Sequence, residues 1–199
     1  MRFKAAILGV TLVVFGAGVA NAAGTVWLGA NAGAGFPTGT YADAASTGWN
    51  LGLTGVRMVN DNWGIGADVA YHAWGASDEL KLATEALFGP GSEFHWSAIQ
   101  ATGNAMYRFP TTSNAKPYAK VGVGLYDLSA KLTSPMGDES TTKSKLGFNF
   151  GGGMHVMTTG NQMWGINGTY HLIPASEDFG ADWRAFSLGV SMMWGVNNR

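Results

Sequence analysis

The feature that most constrains this chain is a period of two. From Asp182 to Trp194, the residues Arg184, Phe186, Leu188, Val190, Met192 and Trp194 fall on one face, and Ala185, Ser187, Gly189, Ser191 and Met193 fall on the other. Successive side chains of a strand point to opposite faces, so this spacing predicts a β-strand with one large apolar face and one small or polar face. The pattern returns at 162–173, 145–157, 116–126 and 63–74. In the last of these, Trp63, Ile65, Val69 and Tyr71 oppose Gly64, Gly66, Asp68 and His72. Weaker versions at 25–36, 49–59 and 94–109 bring the expected strands to eight. Arg57 shares the parity of Leu51 and Leu53, which suggests a bulge or a strand end there.

The connections alternate in length. Short turns are expected at Asn60-Asp61-Asn62, from Thr111 to Ala115, and at Thr159-Gly160-Asn161, and longer loops at 37–48, 77–93, 133–144 and 174–181. Most charged residues fall in the long loops. Loop 77–93 reads either as solvated chain or as a short helix. For the helix, Ser77 would cap, Asp78 and Glu79 would fill the first turn, and Gly89-Pro90 would stop it.

Composition decides where such a sheet lives. Charged residues make up only 13% of the chain, about half the usual share of a globular protein, while aromatics reach 12% and 30 of 199 residues are glycine. After the N-terminal segment no apolar stretch is long enough for a spanning helix. The remaining structure that satisfies every backbone group inside a bilayer is a closed β-barrel. A soluble eight-stranded barrel of the lipocalin kind would put its large apolar residues inside and its charges outside. Here the large apolar face is nearly free of charge and the opposite face is small and polar, so the barrel is expected inside out. The fold class is therefore all-β: an eight-stranded antiparallel transmembrane up-and-down barrel, with short periplasmic turns and longer extracellular loops.

The N-terminus sets the compartment. Arg2 and Lys4 precede an apolar run from Ala5 to Val19, and Ala20-Asn21-Ala22 has the small-x-small form of a cleavage site. Residues 1–22 are expected to be a signal peptide and 23–199 the barrel domain. No cysteine is present, so an exported domain of this size must gain its stability from a core or from a membrane rather than from disulfides. The net charge of −1 gives no basic face for nucleic acid.

With the signal peptide, the Gly/aromatic strand Val121-Gly122-Val123-Gly124-Leu125-Tyr126 and the final strand Phe186 to Trp194, the chain resembles the OmpA/OmpX-like small outer-membrane β-barrels over essentially all of 23–199. The resemblance implies an integral protein of the bacterial outer membrane. It implies contact with outer-membrane lipids and lipopolysaccharide, and delivery by periplasmic chaperones and the barrel-assembly machinery. Family members commonly end on an aromatic residue, whereas this chain continues past Trp194 to Arg199.

Candidate sites follow from the same map. Asp68, Arg108 and Lys120 share inward faces, and because unpaired charge in a narrow lumen is costly they are expected to pair as a structural network. Trp63, Trp164 and Trp194 lie near turn ends of strands, and Trp49, Trp74, Trp96 and Trp183 near loop ends. Together they are expected to form the two aromatic girdles of a membrane barrel. His95-Trp96-Ser97 resembles the His-x-Ser pair of lipid A deacylase barrels, but Ala98 stands where that motif has Asn, and the pair reads as a loop-edge His and a strand Ser. His72, His155 and His171 share the inward parity. His155 and His171 fall too far apart for one ion, so lumen hydrogen bonding is the expected role and no metal or cofactor is expected. The expected function is non-catalytic: envelope integrity, or adhesion to an extracellular ligand through the loops. A narrow solute channel and a lipid A-modifying enzyme are the alternatives.

Overall fold

A computed structural model describes residues 25–135, 137–158, 161–174 and 182–196. Eight strands close into one barrel in sequence order: β1 (Val26–Thr38), β2 (Ala45–Met58), β3 (Trp63–Ala76), β4 (Glu93–Arg108), β5 (Ala115–Ser134), β6 (Gly137–Met157), β7 (Gln162–Ile173) and β8 (Trp183–Val196). All neighbours are antiparallel, and β1 closes the ring on β8 from Val26↔Val196 to Thr38↔Arg184. Two short helices decorate one end, α1 (Tyr41–Ala44) and α2 (Asp78–Phe88). The expected signal peptide, loop residues 175–181 and turn residues 159–160 lie outside the described residues.

The wall is inside out, as the alternation requires. Leu53 is 62% exposed and Val121 60% on the outer face, while Asn149 and Gln100 are nearly wholly enclosed. A contiguous apolar surface around a whole barrel far exceeds what a soluble monomer shows to water. No helix among the described residues is long and apolar enough to cross a membrane.

The helix in 77–93 forms. The Ser77 hydroxyl accepts from the Leu80 amide at 3.2 Å, and Gly89, at φ +94°, ends the helix with its N–H on the Glu85 carbonyl. Two loop expectations need correction. Residues 133–144 are not an open loop, because β5 and β6 stay paired up to Ser134↔Gly137. Both faces of that hairpin meet water, so it carries Ser, Thr and Lys rather than an apolar alternation. Cross-strand pairs hold it: Ser129 with Thr142 at 3.1 Å, and Lys131 with Asp138 at 3.0 Å. Within 37–48, β1 runs on to Thr38 and β2 begins at Ala45, leaving only Gly39–Ala44 to connect them. Of the two readings at Arg57, the strand end holds, because Arg57 stays in register opposite Ile65 one residue before β2 ends at Met58, while the register irregularity of β2 lies at its other end, between Ala45 and Gly48.

Small inward residues permit the tight closure. A Cβ on Gly151 would come within 2.1 Å of the Gly168 carbonyl oxygen, and one on Gly153 within 2.0 Å of that of Ile166, so β6 and β7 approach only because these positions are bare.

Candidate functional site: a closed interior beneath an aromatic mouth

Eight strands enclose a space only just wide enough for side chains, and here the filling is layered. Towards the turn end, Met58, Met106, Met163 and Met193 pack with Trp27 and Tyr118 as an apolar floor. Above it lies a polar cavity of about 70 Å³, room for a few water molecules. At the loop end, Tyr41, Trp74, Trp183, Tyr126, Leu128 and Ile173 form an apolar mouth, with Trp96 packed against it.

Asp68 is the centre of the polar layer. Thr54, directly opposite on β2, donates its hydroxyl to one carboxylate oxygen at 2.6 Å, and the Lys120 ammonium donates to the other at 2.9 Å. Arg108 does not join them. It stands at the last position of β4, towards the turn end, with its Nε and one Nη without a hydrogen-bond partner. Lys120 is opposite Met106 rather than Arg108, and the long lysine stem, starting higher in the barrel, reaches the carboxylate.

The inward histidines each find a different neighbour. His72 bonds Gln100 at 2.9 Å, and Gln100 donates to Thr102 at 3.0 Å. His171 meets the Tyr126 hydroxyl at 3.1 Å, and His155 stacks on Tyr118 with centroids 4.2 Å apart. The separation of His155 from His171 had been legible. That His72 and His171 come face to edge across the lumen, centroids 5.1 Å apart, had not, because sequence parity says nothing about which non-adjacent strands meet across a closed ring. Among the described residues no group of three His, Cys, Asp or Glu is placed to hold a metal ion. His95 meets Glu93 at 3.0 Å rather than Ser97, and Ser97 sits opposite Ser129 in the ladder.

The girdle expectation is corrected for three of its seven tryptophans. Trp49, Trp63, Trp164 and Trp194 are exposed on the outer wall, with Trp63 backed by Tyr107 and Trp49 by Tyr71. Trp74 and Trp183, each 6% exposed, point into the barrel, and Trp96 packs with them. The signal was parity: Trp74 is in phase with Asp68 and His72, Trp96 with Gln100, and Trp183 with Ala185. Phase, rather than position near a strand end, decides which side of the wall an indole takes.

Sequence reading missed Tyr41 altogether. It comes from the β1–β2 connection and lies over Trp183, centroids 4.5 Å apart and planes 19° from parallel. Trp74 and Trp96 stand nearly perpendicular to it at 5.7 and 5.9 Å. Burial pushes its phenol far above the ordinary range, so the ring stays neutral.

Comparison with known proteins places this architecture. The sequence matches the family described as outer membrane protein beta-barrel domain over residues 9–193. Comparison with the curated proteins found no match. Among solved structures, Neisserial surface protein A is similar at a TM-score of 0.60 and 18% identity, over 85% of this chain and 96% of that one. A major outer membrane protein from Thermus thermophilus is similar at 0.57 and 11% identity, over 86% and 99%. OprG from Pseudomonas aeruginosa is similar at 0.52 and 13%, over 88% and 97%. At such identities the likeness is one of fold.

Proposed function

The chain belongs to the outer membrane protein beta-barrel domain family, and from that premise we propose that it acts through its surface: a non-catalytic outer-membrane protein serving envelope integrity or adhesion at its loop end. In this reading the short turns face the periplasm and the loop end faces outward. Lipopolysaccharide and lipid surround the wall, and periplasmic chaperones with the barrel-assembly machinery deliver the chain.

One observation carries the reading. The interior is packed with side chains towards both ends, an apolar floor and an aromatic mouth, so what the protein offers to other molecules is chiefly its exterior. Beyond the apolar band it presents the β5–β6 hairpin and helix α2, whose Leu82 and Leu87 are among its most exposed apolar residues. Such side chains on an otherwise charged loop end are suited to a partner surface.

The test is adhesion by cells expressing the protein, compared with a variant whose hairpin tip is shortened to a two-residue turn after Ser129 and with Leu82→Ser/Leu87→Ser. Loss of adhesion with normal recovery in outer membranes supports the reading. Unchanged adhesion by both variants refutes it. The polar cavity around Asp68 and Lys120 favours a second reading, a narrow solute path. That path requires the mouth and floor to part, and conductance in planar bilayers reports it.

A further inference from the structure

The mouth has the form of a box built around one ring. Trp74 lies 5.7 Å from Tyr41 and 6.0 Å from Trp183, and Trp96 lies 5.9 and 5.2 Å from the same two. Both indoles are therefore beside the Tyr41–Trp183 stack rather than above it. Trp183 is a floor and the other two are walls, each close to perpendicular to it. The place held by the Tyr41 ring centre thus lies over the face of Trp183, where an indole attracts a cation, and within about 6 Å of the centroids of Trp74 and Trp96.

Tyr41 fits this place imperfectly. Its hydroxyl is buried without a hydrogen-bond partner, as is the Trp74 indole N–H. Among the described residues it is the only member of the mouth cluster that comes from a connection between strands. The connection turns at Gly39, φ +62°, and α1 is a single turn with no side-chain cap at its start. The far end of α1 is tied down, since the Ala44 carbonyl accepts from Ser77 N at 3.0 Å and from Trp96 Nε1 at 3.3 Å. The helix is held while the Tyr41 side chain is free of polar anchors.

Charge selects the guest. Among the described residues beyond the apolar band at this end, acidic side chains outnumber basic ones, and Asp43 stands on α1 itself. Arg184, which lines the space beside the box, has its guanidinium on Asp182, with Nε 3.1 Å from the carboxylate. A negative approach favours cations, and three indoles favour one whose charge is spread over methyl groups. We propose that the mouth is a binding site for a methylated ammonium group of choline size, and that Tyr41 is its displaceable internal occupant. The inference gives the outward end a ligand and rests on the surface reading above. Binding to purified protein does not depend on orientation in the membrane, so the two ideas fail separately.

The test uses the full barrel in maltoside micelles, which carry no choline headgroups. Tryptophan fluorescence is titrated with choline or tetramethylammonium at constant ionic strength, with sodium chloride and the neutral tert-butyl isostere of choline as controls. We expect a saturable change with both cations and a response to the isostere at least about tenfold weaker. Tyr41→Ala removes the internal competitor and tightens choline binding by about tenfold or more, as expected when the competent state no longer has to be populated by displacement. Trp183→Leu abolishes the response. Should that variant fail to fold, judged by heat-dependent gel migration, Trp96→Leu is read in its place with the same expectation. A choline response no greater than that of sodium in both wild type and Tyr41→Ala overturns the site. Equal responses to choline and its isostere also overturn it, and weaker binding by Tyr41→Ala overturns the role of Tyr41.

Discussion

The two ends of the barrel interior are closed by different chemistry. The floor is made mainly of methionines carried on strands, and flexible thioethers fill an irregular space without a fixed geometry. The mouth is made of oriented rings, and its central ring comes from a loop. The floor is thus part of the fold, whereas the mouth can respond to whatever acts on the loop end. Between them the Asp68–Lys120 pair keeps a polar layer in register.

The largest expected effect comes from breaking that middle layer. Lys120→Met leaves the Asp68 carboxylate enclosed with only Thr54 as a partner, and should cost about 3–5 kcal/mol in urea unfolding from lipid. Adding Asp68→Leu to it should recover much of the loss. A double variant no better than the single would show that the pair is not the cause.

The floor comes next. Met163 is 1% exposed, and Met163→Ala should cost about 3 kcal/mol through the cavity it leaves. Measured with Trp27, the floor's own indole, replaced by Phe, its tryptophan emission should remain close to wild type, because the indoles of the mouth are at the other end. Tyr41→Ala should do the reverse. Its stability cost is smaller, about 1–2 kcal/mol, since losing an unsatisfied hydroxyl offsets part of the lost packing, and tryptophan emission should shift to the red as water enters the box. If Tyr41→Ala destabilises more than Met163→Ala and leaves emission unchanged, the contrast between the two ends is wrong.

The smallest effects separate inner from outer tryptophans. Trp49→Phe on the outer wall should change stability by no more than about 0.5 kcal/mol. In variants retaining one tryptophan, lipids brominated on the acyl chain should quench Trp49 and Trp164 strongly and Trp74 and Trp183 weakly. Comparable quenching of all four would restore the outward placement that the sequence suggests for all seven girdle tryptophans.

How much of this was legible in the sequence follows from what alternation can encode. It reports the face on which a side chain lies, so the eight strands, the inside-out wall and the inward set of Asp68, His72, Lys120 and His155 could all be read. Trp74, Trp96 and Trp183 could have been read as well, had phase been preferred to position along the strand. Alternation fails where both faces of a ribbon meet water, which is why the upper β5–β6 hairpin looked like a loop. It also carries no information about contacts across the lumen or about a loop that folds back into the mouth. His72 with His171, and Tyr41 in its box, belong to that second kind.

The central claim is that the interior is closed, so the protein works through its surface. Single-channel recording of the purified wild-type barrel in planar bilayers tests this most directly. The closed mouth and floor predict a quiet baseline, with Tyr41→Ala combined with Met163→Ala admitting at most small, brief steps. Reproducible, long-lived openings in the nanosiemens range from the wild type would contradict it and put a solute path in place of the surface role.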